Sequence, residues 1–283
     1  MRTNYRTPKE YEEKFYEIAE LSDCVGRKKP ERFKALMKTN RGNIDSLSPF
    51  PPTGDGLERK NPVIVALGDS VTAGHFESTA ATQKESLAFY AKARKGELTE
   101  DDVGEVTDVR ESYVTRFYYK LIDHYEQTSL SVINCGIAGD DLYGMNRRVY
   151  RDVIRYAPDL ILINAALNWG TPCGSTEDYE KEFRKLLTVI KNETACDIIL
   201  ITPNMDNPPF PALINPKSSL EERVEVIRRL AEEFDVCLAD TYKVWKEYED
   251  AGYPIVPLLA NGHNHPSTAG HEVYAGVLMK LIV

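Results

Sequence analysis

The sequence predicts an α/β fold: a three-layer α/β/α sandwich around a five-stranded, mostly parallel sheet. From residue 62 onward, five short runs are apolar throughout, as in strands that helices cover on both faces. Between these runs, apolar residues recur every three or four positions, which gives each helix one buried stripe. Strands that alternate with helices imply right-handed crossovers, and hence parallel strands with helices on both sides.

The elements follow in order along the chain. The runs predict strands at 63–67, 131–134, 159–164, 197–202 and 236–240. Three helical stripes lie between them, and we expect their aromatic residues in the core: Val114, Phe117, Leu121 and Tyr125; Tyr179, Phe183, Leu186 and Ile190; Leu220, Val224, Ile227, Ala231 and Phe234. Ligands of such sheets bind beyond the carboxyl ends of the strands, so the residues that follow each run are the candidates for chemistry.

Two segments stand apart from this pattern. We interpret residues 1–60 as an N-terminal extension with helices near 8–21 and 30–37 and a Pro/Gly connector at 46–56, placed before a main domain of residues 61–283. The extension could cover a sheet edge, mediate dimerisation or roof a cleft. Residues 76–110 form a polar insert, which should contain a helix of its own or act as a lid.

Composition excludes several classes of function. The chain has 283 residues, 42% of them hydrophobic and 28% charged, which is typical of a globular protein with a large core. Because 35 basic residues face 44 acidic ones without a basic cluster, we expect no nucleic-acid partner. The first residues lack a signal-peptide pattern and no long apolar stretch occurs, so we expect a cytosolic protein without a membrane span. Five scattered cysteines predict buried free thiols, with neither a disulfide framework nor a zinc site.

The first strand is followed by the sequence GDSVTAG, at 68–74, which presents Ser70 where the chain leaves the sheet. A serine here can act as a nucleophile if a base lies nearby, and it can equally be an N-cap of the next helix. Three further segments follow strands or precede the last helix: NCGIAGD at 134–140, NAALNW at 164–169 and HNHPSTAGH at 263–271. The segment 203–211 follows the fourth strand and is expected to form a loop at the rim of the site.

Together, these four segments resemble the four blocks of the SGNH hydrolase superfamily, which includes the GDSL esterases and lipases. The resemblance covers about 220 residues from Val63 onward and implies the flavodoxin-like SGNH fold. It implies that Ser70 is the nucleophile and His265 its base. It further implies that Gly139 and Asn168 form the oxyanion hole with the backbone N–H of Ser70. No metal or organic cofactor is implied.

These residue types suit acyl transfer. A serine hydroxyl becomes a good nucleophile only when a base takes its proton, and imidazole has an ordinary pKa of about 6.5, near neutral pH. The tetrahedral oxyanion that forms needs hydrogen-bond donors already in place. Removing one such donor typically costs on the order of 3 kcal/mol of transition-state stabilisation.

The chain departs from the family pattern at two positions. The third block usually reads Gly-x-Asn-Asp, whereas here Trp169 follows Asn168, and we expect its ring to narrow the substrate pocket or to lie in the core. The usual triad aspartate, three residues before the base, is replaced by Gly262. Either a backbone carbonyl or Asn261 orients His265, or a carboxylate distant in sequence does so, or the site is weak. We favour a working Ser–His dyad.

Other candidates have secondary roles in this interpretation. Asp69 should brace the nucleophile turn, or else line the substrate pocket. Tyr143 could line the cleft. His263 is an alternative base, but it lacks the following proline that marks the family position. His271 should be a packed or capping residue of the last helix.

The sequence therefore predicts a serine esterase for small acyl groups, such as acetyl esters of sugars. Two other functions stay open: a carbohydrate- or lipid-binding protein that keeps the fold without turnover, and a thioesterase or lysophospholipase. The expected partner is a small ester substrate, and a homodimer is left open.

Overall fold

A computed structural model describes residues 7–44, 61–78, 83–99, 102, 105–126, 129–208 and 214–283. The strands are β1 (Val63–Gly68), β2 (His75–Ser78), β3 (Glu105–Thr107), β4 (Ser131–Gly136), β5 (Leu160–Asn164), β6 (Asp197–Ile201) and β7 (Cys237–Ala239). Five of them form one sheet in the order β4-β1-β5-β6-β7, in which every neighbouring pair is parallel. Strands β2 and β3 form a separate antiparallel ribbon. The predicted fold class is confirmed.

Seven of the ten α-helices in the described residues fall into two groups around the sheet. The bounds of the ten are α1 (Lys9–Leu21), α2 (Glu31–Ile44), α3 (Ser70–Ala73), α4 (Gln83–Lys95), α5 (Tyr113–Tyr125), α6 (Leu142–Asp152), α7 (Thr176–Glu193), α8 (Leu220–Glu233), α9 (Thr241–Asp250) and α10 (Thr268–Ile282). Helices α1, α5, α9 and α10 pack together on one side, and α6, α7 and α8 pack together on the other. The two groups form the outer layers of the sandwich.

The apolar stripes of α5, α7 and α8 are buried as the spacing predicts. Every residue of the first two stripes is buried, and so are Leu220, Val224, Ile227 and Ala231 of the third. Phe234, the last residue of that stripe, lies just beyond the end of α8 and is partly buried. Strand β5 is buried along its whole length, as expected for a central strand with helices on both faces.

The N-terminal extension packs on the main domain through α1. Phe15 of α1 contacts the rings of Trp245 and Tyr248 edge-on, with centroids 5.1 and 5.2 Å apart. After α1, Val25 pairs antiparallel with Ala239, the last residue of β7. Because β7 is an edge strand, this short pairing covers backbone groups that would otherwise be open to another chain. The predicted connector at 46–56 lies outside the described residues.

The insert after the nucleophile segment contains secondary structure of its own. Helix α4 and the β2–β3 ribbon lie within residues 75–107, and the parts at 79–82, 100–101 and 103–104 lie outside the described residues. A lid function of this insert stays a prediction.

The cysteines are free thiols. Cys24 and Cys237 are buried, whereas the other three are only half-buried, so the expectation of buried thiols holds for two of them. Within the described ranges, every helix is too short or too polar to cross a bilayer.

His271 is a buried residue that caps a neighbouring helix. Its side chain is 0% exposed, and its Nδ1 accepts a hydrogen bond of 3.1 Å from the backbone N–H of Tyr113, at the start of α5. This N–H is among the first four of the helix, which have no partner within the helix itself. Burial lowers the pKa of His271 to about 3, and the positive charges of Arg116 and His265 act in the same direction.

We expect His271 to make folding sensitive to acid. Below its ordinary pKa of 6.5 the unfolded chain binds a proton that the folded protein excludes, so this contribution to stability falls as the pH drops from 6.5 toward 3. The variant His271→Asn keeps a polar acceptor but does not titrate. Urea unfolding measures the free energy of unfolding of both proteins at pH 7 and pH 5. On going from pH 7 to pH 5, this free energy should fall further, or rise less, in wild type than in the variant.

The variant is needed as a reference because Asp69 has the opposite effect on the pH dependence of stability. Its pKa is raised from 3.8 to about 6, so between these values the folded state binds the extra proton and stability rises as the pH falls. This contribution is common to wild type and His271→Asn and cancels in their difference. An identical pH dependence of the two proteins would contradict the assignment of His271 as a neutral buried group.

Candidate active site

Ser70 lies at a tight turn between β1 and α3. Asp69 is the N-cap of α3, and its Oδ1 accepts a 3.0 Å hydrogen bond from the backbone N–H of Val71, so Asp69 braces the turn. Gly68 allows the turn to form, because a Cβ at this position would overlap the hydroxyl of Thr72 and lie 2.9 Å from the carbonyl oxygen of Asn164. Ser70 is thus held at the carboxyl end of a central strand and is 5% exposed.

His265 meets this serine. Its Nε2 lies 2.8 Å from Oγ of Ser70, although 195 positions separate the two residues. His265 stands on a turn before α10 that two backbone hydrogen bonds close, from Ala260 N–H to the carbonyl of His265 and from Ser267 N–H to that of Leu258, 2.8 and 2.7 Å long. The turn therefore fixes the backbone from which the imidazole projects.

Asn261 organises the same turn. Its Oδ1 accepts hydrogen bonds from the backbone N–H groups of His263, Asn264 and His265, at 3.1, 3.0 and 2.9 Å. These contacts hold the main chain of His265, and the role of Asn261 toward the His265 ring stays a prediction. Gly262, where the family usually has aspartate, adopts φ +75°, a left-handed conformation that favours glycine.

His263 makes a different set of contacts. Its Nδ1 lies 3.2 Å from the carbonyl oxygen of Asn261, and its Nε2 lies 3.3 Å from Nδ2 of the same residue. Because a carbonyl oxygen only accepts and an amide NH₂ only donates, these contacts favour the neutral tautomer with hydrogen on Nδ1. The ring stacks on His265 with centroids 6.3 Å apart. The imidazole in contact with Ser70 is that of His265.

Asn168 joins the segments that follow three strands. Its Nδ2 lies 3.1 Å from the carbonyl oxygen of Asp140 and 3.4 Å from Oδ2 of Asp69. Asp140 directly follows Gly139, which lies in the turn after β4 with φ +73°, and Asp69 directly precedes Ser70. The side-chain amide of Asn168 is therefore placed beside both the nucleophile turn and the Gly139 turn.

Asp69 is the buried carboxyl of the site. It is 0% exposed, and burial raises its pKa to about 6. The hydrogen bond from the backbone N–H of Val71 and the positive charge of protonated His265 both act to lower the pKa again. The charges of Asp69 and His265 therefore attract each other. Among the described residues, no three His, Cys, Asp or Glu side chains are grouped so that they could hold a metal ion.

The profile of the GDSL-like Lipase/Acylhydrolase family matches residues 66–273, well over half of the chain and the whole of this site. The protein belongs to this family. It is therefore an esterase, an acylhydrolase of the SGNH type, and the resemblance seen in the sequence is confirmed.

Three proteins illustrate what this GDSL esterase is similar to. An acetylxylan esterase from Geobacillus stearothermophilus is 27% identical over 173 residues, which span 56% of this chain and 74% of the relative. A GDSL-like lipase from Parabacteroides merdae superposes with a TM-score of 0.59 at 21% identity, over 79% of this chain and 96% of that one. The acetylxylan esterase Axe2 from G. stearothermophilus superposes at 0.55 and 24% identity, over 78% and 94%. The two structural similarities show the fold.

Two aromatic residues expected near the substrate pocket of this esterase form a packed stack. The rings of Tyr143 and Trp169 stack with centroids 5.2 Å apart, and Trp169 is only 1% exposed. Nε1 of Trp169 donates to the carbonyl of Ser175, and the hydroxyl of Tyr143 donates to the carbonyl of Cys173, both at 3.1 Å. The Trp169 ring thus belongs to the core, the second of its two expected places.

Sequence reasoning missed Arg148, which is central to the esterase site. Its guanidinium is 6% exposed and forms an ion pair with Asp140, with Nε 2.7 Å from Oδ2. It also donates to the carbonyl oxygens of Gly68 and Cys135, near the ends of β1 and β4, at 3.0 and 2.7 Å. One buried cation therefore ties the nucleophile turn to the Gly139 turn. A single arginine within an amphipathic helix gives no sequence signal for this role.

Asn215 was missed as well. It is 6% exposed, and its Nδ2 donates to the carbonyl oxygens of Trp169, Gly170 and Gly174, at 3.1, 3.1 and 2.9 Å. These contacts fix the loop that carries Asn168. Asn215 follows the fourth strand of the main sheet, on the side where the site lies, and this position could have marked it as a candidate. The sequence does not show which carbonyl groups its side chain contacts.

Proposed function

We propose that Ser70 and His265 carry out ester hydrolysis through an acyl-serine intermediate. The observation that carries this is the 2.8 Å contact between Oγ of Ser70 and Nε2 of His265. Oγ attacks the ester carbonyl carbon while its proton passes to Nε2, and the imidazolium then gives that proton to the leaving alcohol. A water molecule attacks the acyl-serine by the same route and releases the acid.

The oxyanion of each tetrahedral intermediate needs donors that are already in place. We propose the backbone N–H groups of Ser70 and Gly139 and the side-chain NH₂ of Asn168. The contacts of Asn168 with Asp140 and Asp69 support this position, because they hold its amide between the two turns that supply the backbone donors. Nδ2 carries two hydrogens and both face these oxygens, so we propose that the longer contact, 3.4 Å to Asp69, is exchanged for the oxyanion when the charge forms. The two backbone donors are part of fixed turns and therefore cost little reorganisation when the charge forms.

Asn168→Ala should lower kcat by about 10²-fold to 10³-fold with little change in KM, because it removes one donor that acts mainly in the transition state. Steady-state kinetics on p-nitrophenyl acetate measure this. Asn192→Ala, an exposed asparagine of α7, is the matched control and should keep wild-type rates. A loss of less than about threefold in Asn168→Ala would contradict the oxyanion role.

The imidazolium formed during the reaction needs a stabilising charge, although the usual aspartate is absent from position 262. We propose that Asp69, the buried residue directly before Ser70, supplies it. The charge of His265 acts to lower the pKa of Asp69, and this attraction supports the proposal. The turn held by Asn261 replaces part of the positioning that an aspartate gives elsewhere.

We further propose that the substrates are small acyl esters of sugars, acetyl esters in particular. The similarity to an acetylxylan esterase over 56% of the chain supports this substrate class. The test compares kcat/KM for acetylated xylo-oligosaccharides, p-nitrophenyl decanoate, acetyl-CoA and a lysophospholipid. The highest value should belong to the acetylated sugars. A preference for the long acyl chain, the thioester or the lysolipid would reject this class and leave the serine mechanism intact.

A cytosolic location and a homodimer stay predictions.

A further inference from the structure

A cavity of about 440 Å³ opens directly beside the active site. It lies between the loop after β5, the segment after β6, the start of α8 and the turn that carries His265. Asn168 and His263 line it on the side of the active site, and Asp206 and Arg223 line it further away. Its volume lies within the range of small-molecule sites. An ester held at Ser70 would therefore have room for a bulky group next to the reacting carbon.

The wall that carries Asp206 is fastened to the turn of the catalytic histidine. On one side of Asp206, Nδ2 of Asn204 donates to the carbonyl oxygen of Asn264 at 2.9 Å. On the other side, Asn207 donates from its backbone N–H to the carbonyl of His263 at 2.6 Å. The position of Asp206 is therefore fixed relative to the turn of His265.

Arg223 is the positively charged residue of the cavity lining. It is 5% exposed, and its Nη1 donates to the backbone carbonyl and, at 3.4 Å, to the hydroxyl of Ser218. Within the part of the chain that the structure describes, its Nε makes no hydrogen bond, and neither does the hydroxyl of Tyr179, which is 0% exposed. Nε and the Tyr179 hydroxyl are closed off from the cavity, so a ligand would meet only the part of the guanidinium that lines it. That part favours a ligand with hydrogen-bond acceptors, because a guanidinium only donates.

The charges around the cavity decide which ligand fits. Asp206 and Glu221 contribute two carboxylates against the one guanidinium of Arg223, so an anionic ligand would meet net repulsion. An alkyl chain would offer no acceptor to the guanidinium and no donor to the carboxylates, and it is disfavoured for that reason. Hydroxyl groups satisfy both kinds of charge, since they donate to a carboxylate and accept from a guanidinium. The lining therefore suits a neutral ligand with several hydroxyl groups.

We propose that this cavity binds the sugar ring of the leaving alcohol and that Arg223 and Asp206 select it. The proposal rests on the proposed function, in which the ester is a small acyl ester of a sugar. It assigns the carbohydrate specificity of the enzyme to residues of α8 and of the segment after β6, outside the four sequence blocks that carry the chemistry.

The experiment uses Arg223→Gln and Asp206→Asn with two substrates and one inhibitor. Acetylated xylobiose should show a KM at least about tenfold higher in each variant, the loss expected when a ligand hydroxyl loses a charged partner, while kcat stays near wild type. With p-nitrophenyl acetate, whose leaving group has no such hydroxyls, kcat/KM should change by less than about twofold. Free xylobiose should inhibit p-nitrophenyl acetate hydrolysis competitively in wild type and about tenfold more weakly in the variants.

Arg229→Gln is the matched control, because Arg229 lies on the exposed side of the same helix and pairs with Glu180. It should leave all three measurements unchanged. Equal losses on both substrates, or wild-type KM and inhibition in the variants, would overturn the assignment of the cavity. If Arg223→Gln does not fold, the half-buried Asp206→Asn carries the test alone.

The result for wild type separates the two proposals. A wild-type enzyme that cleaves p-nitrophenyl acetate but neither cleaves acetylated xylobiose nor is inhibited by xylobiose refutes the sugar substrate class, and the cavity assignment fails with it. A wild-type enzyme that cleaves the sugar ester, with unaffected variants, refutes only the cavity assignment.

Discussion

Ser70→Ala is expected to lower kcat on p-nitrophenyl acetate by about 10⁴-fold or more, because the covalent intermediate can no longer form. The remaining oxyanion donors and substrate binding account for whatever rate persists above that in water. The substitution removes one hydroxyl from a site that is 5% exposed and adds no atoms, so the fold should be kept. Steady-state kinetics measure the loss.

Thermal unfolding of the same preparation is the control for Ser70→Ala. A melting temperature near that of wild type, together with the loss of turnover, assigns the effect to chemistry. Turnover within tenfold of wild type in a pure, folded preparation would show that another residue is the nucleophile.

His265→Ala should reduce kcat to a similar extent, about 10⁴-fold or more, since Ser70 would lose the group that accepts its proton. The double variant Ser70→Ala/His265→Ala should be no slower than either single variant, because the two side chains act as one unit. His124→Ala, an exposed histidine of α5, is the matched control and should keep wild-type activity. The measurement is kcat of wild type and of these four variants on p-nitrophenyl acetate.

His263 is the rival base, and its contacts define the outcome that would reverse the assignment. Its ring nitrogens face Asn261, whereas Nε2 of His265 faces Ser70. If His265→Ala kept the wild-type rate while His263→Ala lost it, the base would be wrongly assigned.

The layers of the fold could be predicted because the spacing of apolar residues within each segment shows which face is buried. Strand β5 is a continuous apolar run, and Tyr179, Phe183, Leu186 and Ile190 mark one face of α7 by their spacing. Helix α9 and the β2–β3 ribbon were not predicted. Strands as short as those of the ribbon have too few residues for a clear alternation.

The pairing of the N-terminal extension with β7 could not be foreseen either. Val25 and Ala239 lie far apart along the chain, and their contact is made by the backbone. Backbone hydrogen bonds carry no side-chain signature, so the sequence left three uses of the extension open. The structure shows that it covers the edge of the sheet at β7.

Sequence reasoning found the reacting pair but few of the residues that hold it in place. Ser70 and His265 were found because their neighbours form recognisable blocks, and the structure places the two side chains in contact. Arg148, Asn215 and Asn261 act on main-chain groups of distant or turn residues. Such contacts depend on where the backbone lies after folding, and residue type alone does not reveal them.

The central claim is that folding activates the hydroxyl of Ser70. Labelling with a fluorophosphonate, followed by peptide mapping with mass spectrometry, tests it most directly, because this reagent modifies serines that a neighbouring base activates. We predict one adduct, on the peptide that contains Ser70, which is lost in Ser70→Ala and strongly slowed in His265→Ala. An unmodified Ser70 in folded wild-type protein, or an adduct at a different residue, would contradict the account.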